Sequence, residues 1–227
     1  MPGVKFKKYI PKSTIEKVRE RLDVKSIICY LADGIERQSI NMRITVQDCL
    51  KMFDVFDVVY SYDLYECKKY GFVYEALPLK KFNVVNSTLT KPKVFFCGRD
   101  KGRLAILSSI AKLCERNNIE YEFLVEADPD TKKESAYGNI KFIEYIVYDS
   151  LVEKISQATC LLSLVAENNN MTTASYNEAI MYNKKLLTNC KFLEENKYYN
   201  QKYMKSFVDE TDIDFDWIRD KSIIEYG

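Results

Sequence analysis

Val94-Phe95-Phe96-Cys97-Gly98-Arg99-Asp100-Lys101-Gly102-Arg103 is the stretch on which the fold turns. A short apolar run ends at a glycine, cations follow at alternate positions, and a helix-period pattern opens. Leu104, Leu107, Ile110, Ala111 and Cys114 then share one helical face. Strand, tight turn and amphipathic helix make one βα unit. In a parallel α/β sheet such a junction lies at the carboxyl edge, where ligands bind. Backbone N–H groups at a helix start, joined by Arg and Lys, suit a phosphorylated ligand.

Outward from this stretch the same alternation continues in both directions. Strand-length apolar runs fall at 26–31, 57–61, 73–77, 93–97, 121–125, 140–146, 160–165, 185–189 and 206–208. Helix-period segments fall near 12–22, 40–53, 63–70, 102–117, 149–158, 172–183, 192–202 and 214–220. The succession predicts parallel α/β layers. Helix 40–53 is the least regular, because Ile40, Ile44, Gln47 and Lys51 interrupt any single stripe. Between Pro78 and Pro92 the chain carries Lys80-Lys81 and Asn86-Ser87-Thr88 without a clear period, which predicts a linker. Two domains are expected, over 1–85 and 86–227, the first with only about three strands.

Bulk properties narrow the classes. The chain has 227 residues, 47% hydrophobic and 30% charged, with a net charge of +1. That is globular composition with no global field for nucleic acid or an anionic membrane, so any anion site must be local. The aromatics sit mostly in strand cores and no basic stripe interleaves them, which argues against nucleic-acid stacking. Seven cysteines are spread without a C-x-x-C and mostly inside apolar runs, which favours a reducing compartment. The absence of histidine excludes Ser-His-Asp and Cys-His catalysis and His-ligated metals. The start lacks the apolar core of a secretory signal, and no apolar stretch reaches the roughly 20 residues that span a bilayer. The expectation is a cytoplasmic protein, able to work at the inner face of the cell membrane with at most peripheral contact.

Three constellations bear chemistry. Gly98 to Arg103 is neither a P-loop nor a G-x-G-x-x-G turn, since the glycines are four apart. What remains is a glycine-bounded turn with Arg99, Lys101 and Arg103. Each charge-assisted hydrogen bond to phosphate contributes roughly 1.5–3 kcal/mol, so two or three could hold a diphosphate. A solvated turn in which Asp100 caps the helix is the equal alternative. After strand 160–165, Thr172 and Thr173 offer hydroxyls and N–H groups to an anion, and Glu178 could accept hydrogen bonds from a sugar or ribose diol. Ser175-x-x-Glu178 also fits a capping box, and taken alone the cap is favoured. A ligand becomes the better explanation only when both junctions are considered together. Asp128-Pro129-Asp130 mimics a D-x-D metal site but reads better as a solvated β-turn, so no metal is expected.

With these residues the chain resembles the two-Rossmann (GT-B) glycosyltransferases of bacterial lipopolysaccharide and capsular polysaccharide biosynthesis, loosely similar to CgeB-like spore glycosyltransferases. Four stretches carry the resemblance in order: Cys29 to Gly34; Val59 to Asp63 with Cys67 to Gly71; Phe96 to Arg103; and Thr172-Thr173 through Asn177-Glu178-Ala179 to Lys184 to Thr188. It implies a complete C-terminal Rossmann-like domain holding a nucleotide-sugar donor, with Gly98, Arg99, Lys101, Arg103, Thr172 and Thr173 on its diphosphate and Glu178 on its ribose or sugar. It implies a glycan or lipid-linked acceptor, no cofactor besides the donor substrate, and a partial N-terminal domain whose first strands are absent. Asp33 is the candidate catalytic base, with Asp63 behind it; helix-cap or turn roles compete for both. The chain departs from the pattern at Asn170, where the earlier acid of the family's acidic pair would fall, and at Ser175 and Asn183. A non-catalytic truncated relative, binding a nucleotide or a partner subunit, is the competing expectation, and a homodimer or partner could cover the incomplete domain.

Overall fold

The computed structural model describes residues 12–77, 79–84, 91–129, 133–135, 137–165 and 173–226. The chain divides into two compact units, Met1–Leu77 and Pro78–Gly227.

The first unit holds α1 (Lys12–Leu22), β1 (Ile28–Leu31), α2 (Ile35–Met42), α3 (Val46–Lys51), β2 (Val58–Ser61), α4 (Leu64–Tyr70) and β3 (Val73–Tyr74). Its strands form a parallel sheet in the order β1-β2-β3. The expected helix 40–53 is two helices. Arg43 adopts φ 56°, in the left-handed region, and Thr45 then caps α3 by accepting from Asp48 N at 3.0 Å. Asp63 likewise caps α4, and Gly71 ends it at φ 76°.

The second unit runs β4 (Lys93–Arg99), α5 (Leu104–Arg116), β5 (Glu120–Glu126), β6 (Ile140–Ile143), α6 (Tyr148–Ser156), β7 (Cys160–Ser163), α7 (Ala174–Met181), β8 (Lys185–Thr188), β9 (Met204–Ser206) and α8 (Phe215–Arg219). All strand pairs are parallel, in the order β6-β5-β4-β7-β8-β9. Renumbered from its own start, that is the 3-2-1-4-5-6 order of a complete Rossmann sheet. The expected helix 192–202 shrinks to a 3₁₀ turn at Leu193–Glu195, because the Asn196 side chain takes the carbonyls of Phe192 and Leu193. Within the stretch expected as a linker, Pro78 to Pro92, Phe82 and Val84 pack on the second unit's core and the Phe82 ring tilts onto Tyr148.

Alternation along β4 builds two cores. Val94 and Phe96 face α5 and α8 with Leu107, Ile110, Phe123 and Ile218. Phe95 and Leu161 face α6 and α7 with Val152, Ile155, Tyr176 and Ala179. Burial on both faces is why these strands read as continuous apolar runs. None of the seven cysteines is in a disulfide. No helix among the described residues is long and apolar enough to cross a membrane.

Candidate functional site

The β4–α5 junction is a tight turn. Lys101 (φ 44°) and Gly102 (φ 78°) are both left-handed, and only the glycine takes that conformation without strain. At Gly98 the space is tight: a Cβ there would lie 3.3 Å from Phe96 Cζ, and the ring would have to shift by a few tenths of an ångström to admit it. Asp100 is buried and its carboxylate accepts from Leu104 N at 3.0 Å, so it does cap α5. Arg103 stands at the N-cap and donates from Nη1 to Arg99 O at 3.3 Å.

Asp128, just beyond β5, reaches this turn. One carboxylate oxygen accepts from Lys101 N at 2.7 Å and the other pairs with Arg99 at 3.0 Å. Glu126 stands 3.7 Å from the same guanidinium. The solvated-turn expectation for Asp128 is therefore corrected: it ties the β5 end to the cationic turn. The pairing follows from topology, since β5 lies beside β4 in the sheet.

At the second junction Thr173 is the N-cap of α7, and its hydroxyl lies 2.7 Å from Ser163 Oγ. Thr172, Asn170 and Asp130 lie outside the described residues. The capping-box alternative for Ser175 and Glu178 is overturned. The helix begins at Ala174, which places Ser175 inside the first turn and Glu178 a full turn further in. Glu178 is only 5% exposed and lines a small cavity with Phe95, Cys97, Leu151, Ile155, Leu161 and Ser175. Its side chain has no hydrogen-bond or salt-bridge partner among the described residues. Burial alone pushes its carboxyl up to about 7. The cavity beside it measures about 20 Å³, room for a water-sized group.

The two junctions meet on one face. Phe95, Cys97 and Arg99 alternate onto the α6/α7 side of β4, which is also the side of Glu178. Burial pushes the Cys97 thiol up to about 11, with added contributions from the charges of Glu178 and Glu126. Cys97 thus feels the charges of both Glu178 and Glu126, the latter 3.7 Å from the Arg99 guanidinium. Strands β4 and β7 are adjacent, and the strand order reverses between them. That reversal is the topological switch point, where ligands of open α/β sheets bind. Tyr148, which sequence reasoning missed, lies close by on α6. Burial raises its hydroxyl pKa and the Glu178 charge raises it further.

In the first unit, Asp33 is exposed and its carboxylate lies 3.9 Å from Arg37. Asp63 is spent capping α4. The more unusual acid there is Glu66, buried, accepting from Ile35 N at 2.8 Å and Glu36 N at 3.3 Å. It fills the N-terminus of α2 with an internal carboxylate, so the β1–α2 turn is already occupied by the chain's own anion. Among the described residues no cluster of three His, Cys, Asp or Glu side chains could hold a metal.

No protein-family profile matches the sequence, and no curated protein does. Among solved structures, the chain is similar to the glycotransferase of kitacinnamycin at 7% identity and a TM-score of 0.41, covering 91% of this chain and 55% of that one. It is also similar to the spinosyn forosaminyltransferase SpnP at 12% identity and a TM-score of 0.37, covering 92% and 55%. The chain therefore spans about half the length of these structures.

Proposed function

We propose that this chain is a metal-independent glycosyltransferase of the GT-B type, moving a sugar from a nucleotide-diphosphate donor to a cell-surface glycan or lipid-linked acceptor. The observation that supports the reading is that Arg99 and the buried Glu178, which has no polar partner among the described residues, share one face at the β4/β7 switch point. A pyrophosphate would draw on the cations Arg99, Lys101 and Arg103, whose charge stabilises the leaving diphosphate as the glycosidic bond breaks. Glu178 would accept from the ribose or sugar hydroxyls, and Thr173 would add its hydroxyl. The cavity beside Glu178 has room for a single hydroxyl-sized group. Asp33 is the candidate base on the acceptor side, in the first unit. The donor is the only small-molecule partner required, and the assigned place of work is the cytoplasmic face of the membrane.

One observation favours a second reading, a nucleotide-binding relative without catalysis: Arg99 is already met by Asp128 and Glu126. Calorimetry with UDP, GDP and CMP tests both. Saturable binding that disappears in Arg99→Ala/Arg103→Ala supports the donor site, and no binding of any nucleotide sinks it. Turnover of a nucleotide-sugar panel then separates an enzyme from a binder, and loss of that turnover in Asp33→Asn with donor binding intact supports the base.

A further inference from the structure

At the opposite, amino edge of the second sheet lies a larger cleft, of about 480 Å³. Small-molecule sites occupy roughly 300–1,000 Å³. Its walls come from the segments entering β4, β7 and β8 and from the chain after Ile218. Lys91, Lys184, Arg219 and Lys221 line it, against the single carboxylate of Asp220. That carboxylate is engaged locally, accepting from Ser222 N at 3.1 Å and from the Ser222 hydroxyl. Arg219 is committed elsewhere, ion-paired with Asp216 and donating to Asn117 O at 2.7 Å. Lys91 and Lys221 are exposed and make no ion pair among the described residues.

Lys184 is the decisive group. It is 5% exposed, and its ammonium donates to Ser156 O at 2.9 Å and Ala158 O at 2.7 Å. Both acceptors are neutral carbonyls, and no carboxylate pairs with this charge among the described residues. An ammonium has three donors, so the two carbonyls leave one donor and the net charge without a partner among the described residues, in a side chain that belongs to the cleft lining. A buried charge without a counter-ion is costly, and burial lowers its pKa to about 8. Fastening the last residue of α6 and the turn after it accounts for its two hydrogen bonds. It does not account for the volume beside it or for the gathering of cations. Ile218, Ile224 and Pro92 add an apolar wall suited to a ligand body.

The geometry points to this cleft as a second binding site, separate from the donor site, for a phosphorylated small molecule of about mononucleotide size, its phosphate held by Lys184 with Lys91 and Lys221. Calorimetry on the full chain tests this with inorganic phosphate, AMP and a hexose phosphate as probes. The expected result is saturable binding of AMP or the hexose phosphate, weakened at least tenfold in Lys91→Ala/Lys221→Ala and unchanged in Arg99→Ala/Arg103→Ala. Lys184→Met should abolish binding in protein whose melting curve matches the parent. The exposed double variant keeps the test decisive if Lys184→Met fails to fold. The two organic probes distinguish a nucleoside from a sugar body. No saturable binding by the parent chain overturns the proposal. So does binding lost with Arg99 and Arg103 but indifferent to Lys91 and Lys221, and so does inorganic phosphate binding as tightly as both organic probes.

Discussion

Glu178 is the residue whose chemistry differs most from its appearance in the sequence. There it resembles a helix-capping acid; in the fold it is buried, with no hydrogen-bond or ion-pair partner among the described residues, an outcome that depends on where α7 starts and on the face of β4 opposite it. Its carboxyl titrates near 7 against an ordinary 4.5, so the fold favours the neutral form. A raised acid contributes its stability fully below pH 4.5 and loses it as pH rises through 7. The stability of the parent relative to Glu178→Gln should therefore fall by on the order of 3 kcal/mol across that window; urea unfolding at several pH values reads it, and a level difference refutes it. Ligand hydroxyls that donate to the carboxylate favour ionisation, so UDP binding near pH 6 should release a proton, visible as a buffer-dependent calorimetric enthalpy. Asp128 carries the second residue-scale expectation. Its exposed pair with Arg99 contributes less than about 1 kcal/mol to stability, while its charge opposes any anion at the turn. Asp128→Asn should leave the melting temperature nearly unchanged and tighten UDP binding several-fold, measured by calorimetry; weaker binding would show that Asp128 organises the turn rather than competes for it. Asp128 is illegible from sequence because a turn acid and a cross-strand tether share one local pattern.

At the scale of elements the strands were the legible part. The central strands β4, β7 and β8 are buried on both faces along short apolar runs, while α5 repeats its stripe over three turns. The helices that differ from expectation are those whose ends are set by backbone and side-chain hydrogen bonds rather than by periodicity. Segment 40–53 breaks because Arg43 turns left-handed and Thr45 opens a new helix; segment 192–202 fails because Asn196 offers the backbone a competing partner. The break at Thr45 is open to test. Removing its hydroxyl withdraws the acceptor for Asp48 N, so Thr45→Ala should cost about 1 kcal/mol, read as a lower unfolding midpoint. Thr45→Ser, which keeps the acceptor, should recover most of it. An unchanged midpoint in Thr45→Ala would mean that packing, not the cap, divides the two helices.

For the whole molecule, the two units differ in what they can sustain alone. The first has a three-stranded sheet, and an internal carboxylate, Glu66, occupies the start of α2. The second has a six-stranded sheet with a packed core on each face, and it contains every residue of the proposed donor site. Sequence pattern alone conveyed the βα succession and the position of both junctions in the chain. It could not convey that β4 and β7 are neighbours, because strand order arises from packing between segments some sixty residues apart. That adjacency is what the proposed donor site requires, and both strands belong to the second unit. A chain comprising 78–227 should therefore fold cooperatively and bind UDP with an affinity within about threefold of the full chain, a difference of roughly 0.7 kcal/mol. If the first unit supplies the acceptor side and Asp33, as proposed, it should show no sugar transfer. Calorimetry and a transfer assay on the two proteins decide the matter. A folded 78–227 that does not bind UDP, beside a full chain that does, would move the donor site away from the β4/β7 switch point.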